Sequence, residues 1–134
     1  MATVTTNEVR TFKDLDLNFT IHPVKKDINK HVGVNAVVNS IKNLVLYNHY
    51  ERPFNPEFGS NLRKLLFENA DSFTASLIER EISEMISIYE PRCQVEKLVT
   101  RASPDENGFY VELTFFVINL TDPIQITFFL ERIR

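Results

Sequence analysis

Phe109-Tyr110-Val111-Glu112-Leu113-Thr114-Phe115-Phe116-Val117 is the stretch on which the fold turns. Phe109, Val111, Leu113, Phe115 and Val117 alternate with Tyr110, Glu112, Thr114 and Phe116. A period of two belongs to a strand with one face turned to a core. Ile124, Ile126, Phe128 and Leu130 repeat the pattern against Gln125, Thr127, Phe129 and Glu131. Cys93 to Ala102 is a third candidate strand, with imperfect alternation. The turn-rich runs Ser103-Pro104-Asp105-Glu106-Asn107-Gly108 and Asn119-Leu120-Thr121-Asp122-Pro123 separate the three. Connections this short predict an antiparallel meander.

Upstream of the meander the period changes from 2 to 3.6. Ile78, Ile82, Met85, Ile86 and Tyr89 form an apolar stripe on a helix from about Thr74 to Tyr89. Glu79, Glu81 and Glu84 are expected towards solvent. Pro91 disfavours helical geometry at Glu90 and stops the helix there. Val34, Val37, Val38, Ile41 and Val45 mark an earlier helix to Tyr47, whose valines need a core to pack on. Ser60 is positioned to cap a short helix carrying Leu62, Leu65 and Leu66. Leu17, Phe19 and Ile21 alternate with Asn18, Thr20 and His22 before Pro23, which reads as a short edge strand. Lys25 to His31 is a charged connector, and Met1 to Thr11 is polar and Thr-rich. The fold class is therefore α+β: an N-terminal strand and three helices packed on a C-terminal three-stranded antiparallel β meander.

The 134 residues are 43% hydrophobic and 25% charged, enough for one core without disulfides or metal. The net charge of −3 is uneven. Residues 1–67 hold nine Lys/Arg against six Asp/Glu, and residues 68–134 hold six against twelve. That mild asymmetry lacks the clustered cations of a nucleic-acid site. Cys93 is the single cysteine and reads as a small apolar strand residue. No apolar run approaches the about 18 residues that span a bilayer. No signal-peptide pattern precedes Phe19, so a soluble protein of a reducing cytoplasm is expected.

Catalytic chemistry finds little support. His22, His31 and His49 have no metal-ligand spacing, and three scattered glycines make no phosphate loop. No cofactor is expected. Glu57 and Glu90 are the best carboxylate pair for a glycosidase, which needs one acid held protonated and a second group about 5–10 Å away. The chain has no Trp to form a sugar platform, and its phenylalanines follow strand patterns.

Two proline-stiffened stretches fit docking better. In Arg52-Pro53-Phe54-Asn55-Pro56-Glu57-Phe58-Gly59, the prolines fix two φ angles. Phe54 and Phe58 are expected to anchor the loop in the core, and Gly59 permits an unusual turn. In Glu90-Pro91-Arg92, Arg92 either bonds the last helical carbonyls or presents a guanidinium fork to a partner's carboxylate. Phe116, Ile118, Phe129 and Ile133 fall on the outward sheet face. Either helices cover that face too, or the sheet is open to another chain by face or by edge.

The Arg52–Gly59 run, Leu66-Phe67-Glu68-Asn69, and Glu90-Pro91-Arg92 after an acidic helix together resemble the small baseplate wedge subunit of contractile phage tails. That family includes a type VI secretion baseplate component and often carries a lysozyme-like label. The resemblance covers roughly residues 20–134. It implies a structural, non-enzymatic protein of the virion tail baseplate, present in the host cytoplasm during assembly. Residues 1–16 would be a flexible tail and 17–134 a single wedge domain. The Glu-Pro-Arg corner and the Arg52–Gly59 loop would dock on the core bundle of the larger wedge subunits. The sheet would start sheath polymerisation by strand exchange with the tail sheath protein, using Phe116, Ile118, Ile126, Phe128, Phe129 and Leu130. Tail tube or hub proteins would be further neighbours, with no nucleic acid and no membrane. The alternatives are the secretion-system component and a peptidoglycan-cleaving glycosidase.

Overall fold

The computed structural model describes residues 13–15, 20–21, 23–27 and 30–133. The chain forms two compact units, residues 1–36 and 37–134. The expected boundary at residue 16 lies outside the described residues.

In the first unit, β1 (Lys13–Leu15) pairs antiparallel with β2 (Lys30–Val32), in the register Lys13↔Val32, Asp14↔His31 and Leu15↔Lys30. A leading strand is thus present. Of the stretch read as that strand, residues 17–19 and 22 lie outside the described residues, and Thr20 and Ile21 belong to no named strand. The end of the expected charged connector is itself β2.

The helix α1 spans Val34–Leu46. Val37, Ile41, Leu44 and Val45 are buried, so packing compensates for the low helix propensity of its valines. α2 is a single turn, Leu62–Leu65, with Leu62 buried. The Ser60 hydroxyl accepts from the Leu62 amide at 3.4 Å, as the sequence reading expects of a cap, while Asn61, the residue bordering the helix, makes no side-chain capping bond. Instead the Glu81 carboxylate accepts from the Asn61 amide at 2.8 Å. α3 runs Ser72–Tyr89, capped by Asp71, whose Oδ1 accepts from the Thr74 amide at 2.7 Å. Ile78, Ile82, Met85 and Ile86 are buried as their spacing predicts.

The second sheet has the order β3-β4-β5, all antiparallel, with β3 at Cys93–Ser103, β4 at Gly108–Val117 and β5 at Ile124–Glu131. The register pairs Val111 with Thr100 and with Phe128, and Leu113 with Leu98 and with Ile126. A bulge between Val95 and Lys97 explains the broken alternation of the first strand. The extra residue, Glu96, lets Val95 and Leu98 both face inward. Phe109, Val111, Leu113 and Phe115 are fully buried, each contributing about 1.5–3 kcal/mol of apolar burial. α3 packs against β3. Asn107 and Asn119 adopt positive φ in the two turns, where Asn is the residue other than glycine that tolerates it best.

Candidate functional site

The segment from Asn48 to Ser60 is a stiff loop whose ends meet. Asn48 and Ser60 form a parallel bridge, and the Ser60 amide donates to the Tyr47 carbonyl at 3.1 Å. Between them lie two consecutive β-turns. The Asn55 amide donates to the Arg52 carbonyl (3.3 Å), and the Phe58 amide to the Asn55 carbonyl (3.2 Å). Pro53 and Pro56 each occupy the second turn position, where a fixed φ near −65° costs nothing. Glu51 accepts from the Asn48 amide and side chain at 3.1 and 2.8 Å, and these bonds hold its carboxyl below the usual range. Gly59 has φ +120°, and a Cβ there would stand 2.7 Å from the Asn48 carbonyl.

One aromatic pins the loop, not two. Phe58 packs edge-on between Tyr89 (4.8 Å between centroids) and Tyr47 (5.8 Å), with the Arg52 guanidinium 4.7 Å above its ring. The Tyr89 hydroxyl donates to the Glu57 carbonyl at 2.8 Å, and His49 Nδ1 lies 2.9 Å from the same oxygen. Phe54, expected in the core, is 99% exposed. The turn Arg52–Asn55 puts it at the third position, the tip, where the chain has no neighbour to pack on. Arg52, Pro53, Asn55, Pro56 and Glu57 are also exposed.

The loop rests on Tyr89, the last residue of α3, and the next residues are the charged corner. Glu90 leaves the helix with φ −125° and ψ 74°, outside the helical geometry that the following proline disfavours. Its carboxylate is buried, and the residue is 2% exposed. Arg92 Nε donates to Oε1 at 2.6 Å and Nη2 to Oε2 at 2.8 Å, a bidentate fork. Ser40 of α1 donates its hydroxyl to Oε2. Burial alone would raise the Glu90 carboxyl, but the bonds from Arg92 and Ser40 and the guanidinium charge outweigh it and hold the group ionised. The fork that sequence offered to helical carbonyls or to a partner is therefore engaged by the neighbouring Glu90, with 23% of the Arg92 side chain still exposed. Next door, burial and the Glu90 charge push the Cys93 thiol up to about 11, so it stays neutral.

These facts bear on the carboxylate pair. A glycosidase acid must hold its proton in a dry pocket. Glu90 is buried, but Arg92 and Ser40 hold it ionised, and Glu57 is exposed. Among the described residues no three His, Cys, Asp or Glu side chains converge as metal ligands would. Among them, too, no helix is long and apolar enough to cross a membrane.

On the sheet, the named apolar residues divide between faces. Phe129 (40% exposed) and Ile118 (53%) are outward and Phe116 is half-buried. The Phe129 ring packs on Tyr110 at a tilt of 51°, with 4.9 Å between centroids, and covers Gly108, where a Cβ would meet it at 2.3 Å. Ile126 and Phe128 face inward and are half-buried, whereas Leu130 is buried at 8%.

Sequence reasoning missed two supports. Ser40 lies on the same α1 face as Val37, Ile41 and Leu44, and a hydroxyl on an apolar face is the available sign of a buried polar partner. Tyr89 falls on the apolar stripe by its spacing, although a partly buried phenol needs an acceptor.

The sequence model of the family described as "Baseplate wedge protein gp25" matches residues 31–119, which include the loop, the corner and the first two strands of the meander. A curated relative, baseplate wedge protein gp25 of Enterobacteria phage T4, is 36% identical over 102 residues, spanning 75% of this chain and 76% of that protein. Among solved structures, a chain of the anti-feeding prophage baseplate has a TM-score of 0.72 at 21% identity, covering 84% of this chain and 90% of its own. A Geobacter sulfurreducens protein described provisionally as a tail lysozyme has a TM-score of 0.66 at 21% identity, covering 73% of this chain and 89% of its own. At that identity both likenesses speak to the fold alone, while the family match and the phage T4 relative together establish that this chain belongs to the baseplate wedge protein gp25 family.

Proposed function

We propose that the chain is a non-enzymatic assembly part of a contractile tail baseplate, working in the virion, that docks on larger wedge subunits and initiates sheath polymerisation. The observation that carries this reading is the unfinished C-terminal sheet. The inner-face residues of β4 are fully buried, yet their neighbours Ile124, Ile126 and Phe128 on β5 remain partly exposed. A core that stops short at one strand favours completion by foreign backbone. The loop tip supplies the second surface. Phe54, Arg52 and the exposed part of Arg92 stand on backbone fixed by turns, aromatic packing and a buried ion pair. Little ordering entropy is then lost when a partner covers them. The tail sheath protein would engage the sheet, and the helical core bundle of the larger wedge subunits would engage the loop and corner.

The test is reconstitution with purified components. Wedge subunits plus this chain should bind sheath protein and start its polymerisation, and omitting the chain should abolish the start. Sheath that polymerises equally well without it would end the reading. Clearing of peptidoglycan by the purified protein, lost in Glu57→Gln or Glu90→Gln, would replace it with the glycosidase.

A further inference from the structure

We infer that the cavity between the start of the loop and α2 is a docking pocket for an acidic peptide segment of a partner. That segment would bury one large apolar side chain against Tyr50 and Phe67 and set its carboxylates beside Arg63 and Lys64. The pocket uses neither the sheet nor the loop tip, so it adds a further contact to the function proposed above.

Near its start the loop holds a residue in an unfavourable backbone state. Tyr50 has φ +70°, in the left-handed region where a bulky side chain is an outlier. The local fold accounts for the turn. The Tyr50 amide donates to the Pro56 carbonyl at 2.8 Å and the Glu51 amide to the Asn48 carbonyl at 3.4 Å, so the chain reverses at this point. The fold does not account for the tyrosine. Glycine would make the same reversal without strain. The side chain also gives the core no burial in return, since Tyr50 is 83% exposed. It lines instead a cavity of about 340 Å³. A strained residue held by its surroundings and offered to solvent points to a function for that side chain.

Phe67 lines the same cavity and is 52% exposed. It belongs to residues 66–69, a run that the proposed function leaves unused. Two exposed aromatics from separate segments thus share one concavity whose lining is mostly apolar, the arrangement in which an interface holds an apolar anchor. Arg63 and Lys64 of α2 add two positive charges to the lining. Among the described residues no carboxylate lies within ion-pair distance of either. Glu51 also lines the cavity, but its carboxylate is engaged by both Asn48 donors, with a weaker attraction from Arg63. A partner's carboxylate would therefore meet cations that no internal group has taken.

A nucleic acid would also offer flat rings and negative charge. Two cations beside a carboxylate, on a chain of net charge −3, are too few to track a phosphate backbone. A single concavity also suits one anchoring side chain better than a row of stacked bases. Peptide carboxylates next to one apolar anchor fit both the charge and the shape.

The test titrates the full chain into a fluorescein-labelled peptide whose one phenylalanine is flanked by aspartates, read by anisotropy. Two companion peptides replace the phenylalanine by alanine or the aspartates by lysines. The first peptide should bind saturably, and each companion at least about tenfold more weakly. Tyr50→Gly should weaken binding by about tenfold while its melting temperature stays equal to or above the parent's, because glycine takes a positive φ freely. Unchanged binding with a lowered melting temperature would show that the ring serves folding alone and would overturn its part in the pocket. Arg63→Glu/Lys64→Glu should lose the aspartate peptide and gain the lysine peptide. Phe73→Ala, an exposed aromatic outside the cavity, should bind as the parent does. No saturable binding, equal binding of the alanine peptide, equal weakening by Phe73→Ala, or a charge reversal that leaves the preference unchanged would overturn the pocket. Tighter binding of labelled oligothymidylate than of the aspartate peptide would overturn the peptide assignment in favour of nucleic acid. If Tyr50→Gly does not fold, the charge reversal and Phe67→Ala decide, the latter expected to weaken binding by about tenfold. None of these outcomes bears on sheath initiation, which the reconstitution reads separately.

Discussion

Arg92 cannot be truncated without stranding Glu90. The guanidinium donates two hydrogen bonds to that buried carboxylate, and Ser40 donates another. Arg92→Ala should therefore lower unfolding free energy by about 3–5 kcal/mol, measured by urea denaturation. Glu90→Gln/Arg92→Met, which leaves no buried charge, should lie within about 2 kcal/mol of the parent. The double variant is accordingly the fair probe of docking at this corner. Acid should act on the same group. The folded Glu90 carboxyl titrates below its ordinary value, so its contribution is complete at neutral pH and is lost as pH falls through the folded value. Melting temperature should drop more between about pH 7 and about pH 3 in the parent than in Glu90→Gln. An equal drop would show that other groups govern acid unfolding. The sequence announced a charged residue held by proline at this place. It did not announce that the two charges close on each other, because the deciding partner, Ser40, lies fifty residues away.

At the scale of the element, the Arg52–Gly59 loop separates holding from presenting. Phe58 holds, between Tyr47 and Tyr89, and Phe54 presents, at a turn tip. Phe58→Ala should cost about 2 kcal/mol, less than a fully buried phenylalanine because the ring is only half covered. Phe54→Ala should change stability by less than about 0.5 kcal/mol and still reduce incorporation into reconstituted baseplates. Unchanged incorporation would remove Phe54 from the docking surface. The prolines made the loop's stiffness legible in advance. Which phenylalanine points inward was not legible, since a loop has no period from which to read a face. Periodic elements fared better. The stripe of α3 and the alternation of β4 match their burial, and even the irregular reading of β3 corresponds to a real bulge. Glu79 and Glu81, expected in solvent, instead tie α3 to Thr100 and Asn61. Charge patterns alone do not distinguish a solvated carboxylate from one that caps a nearby amide.

At the scale of the whole molecule, the α+β class and the order of the meander were legible because both rest on changes of period. Two things were not. One was the first unit, where β1 and β2 are three residues each and carry no pattern strong enough to read. The other was the tie between α3 and the outer strand of the C-terminal sheet, where the Glu79 carboxylate accepts from the Thr100 amide. The account as a whole rests on that sheet being completed by another chain. A density map of the assembled tail measures this directly. It should show a strand from a neighbouring subunit hydrogen-bonded along the C-terminal sheet and extending its inner apolar face. A map in which the sheet ends at its own three strands, with both edges in water, would contradict the account.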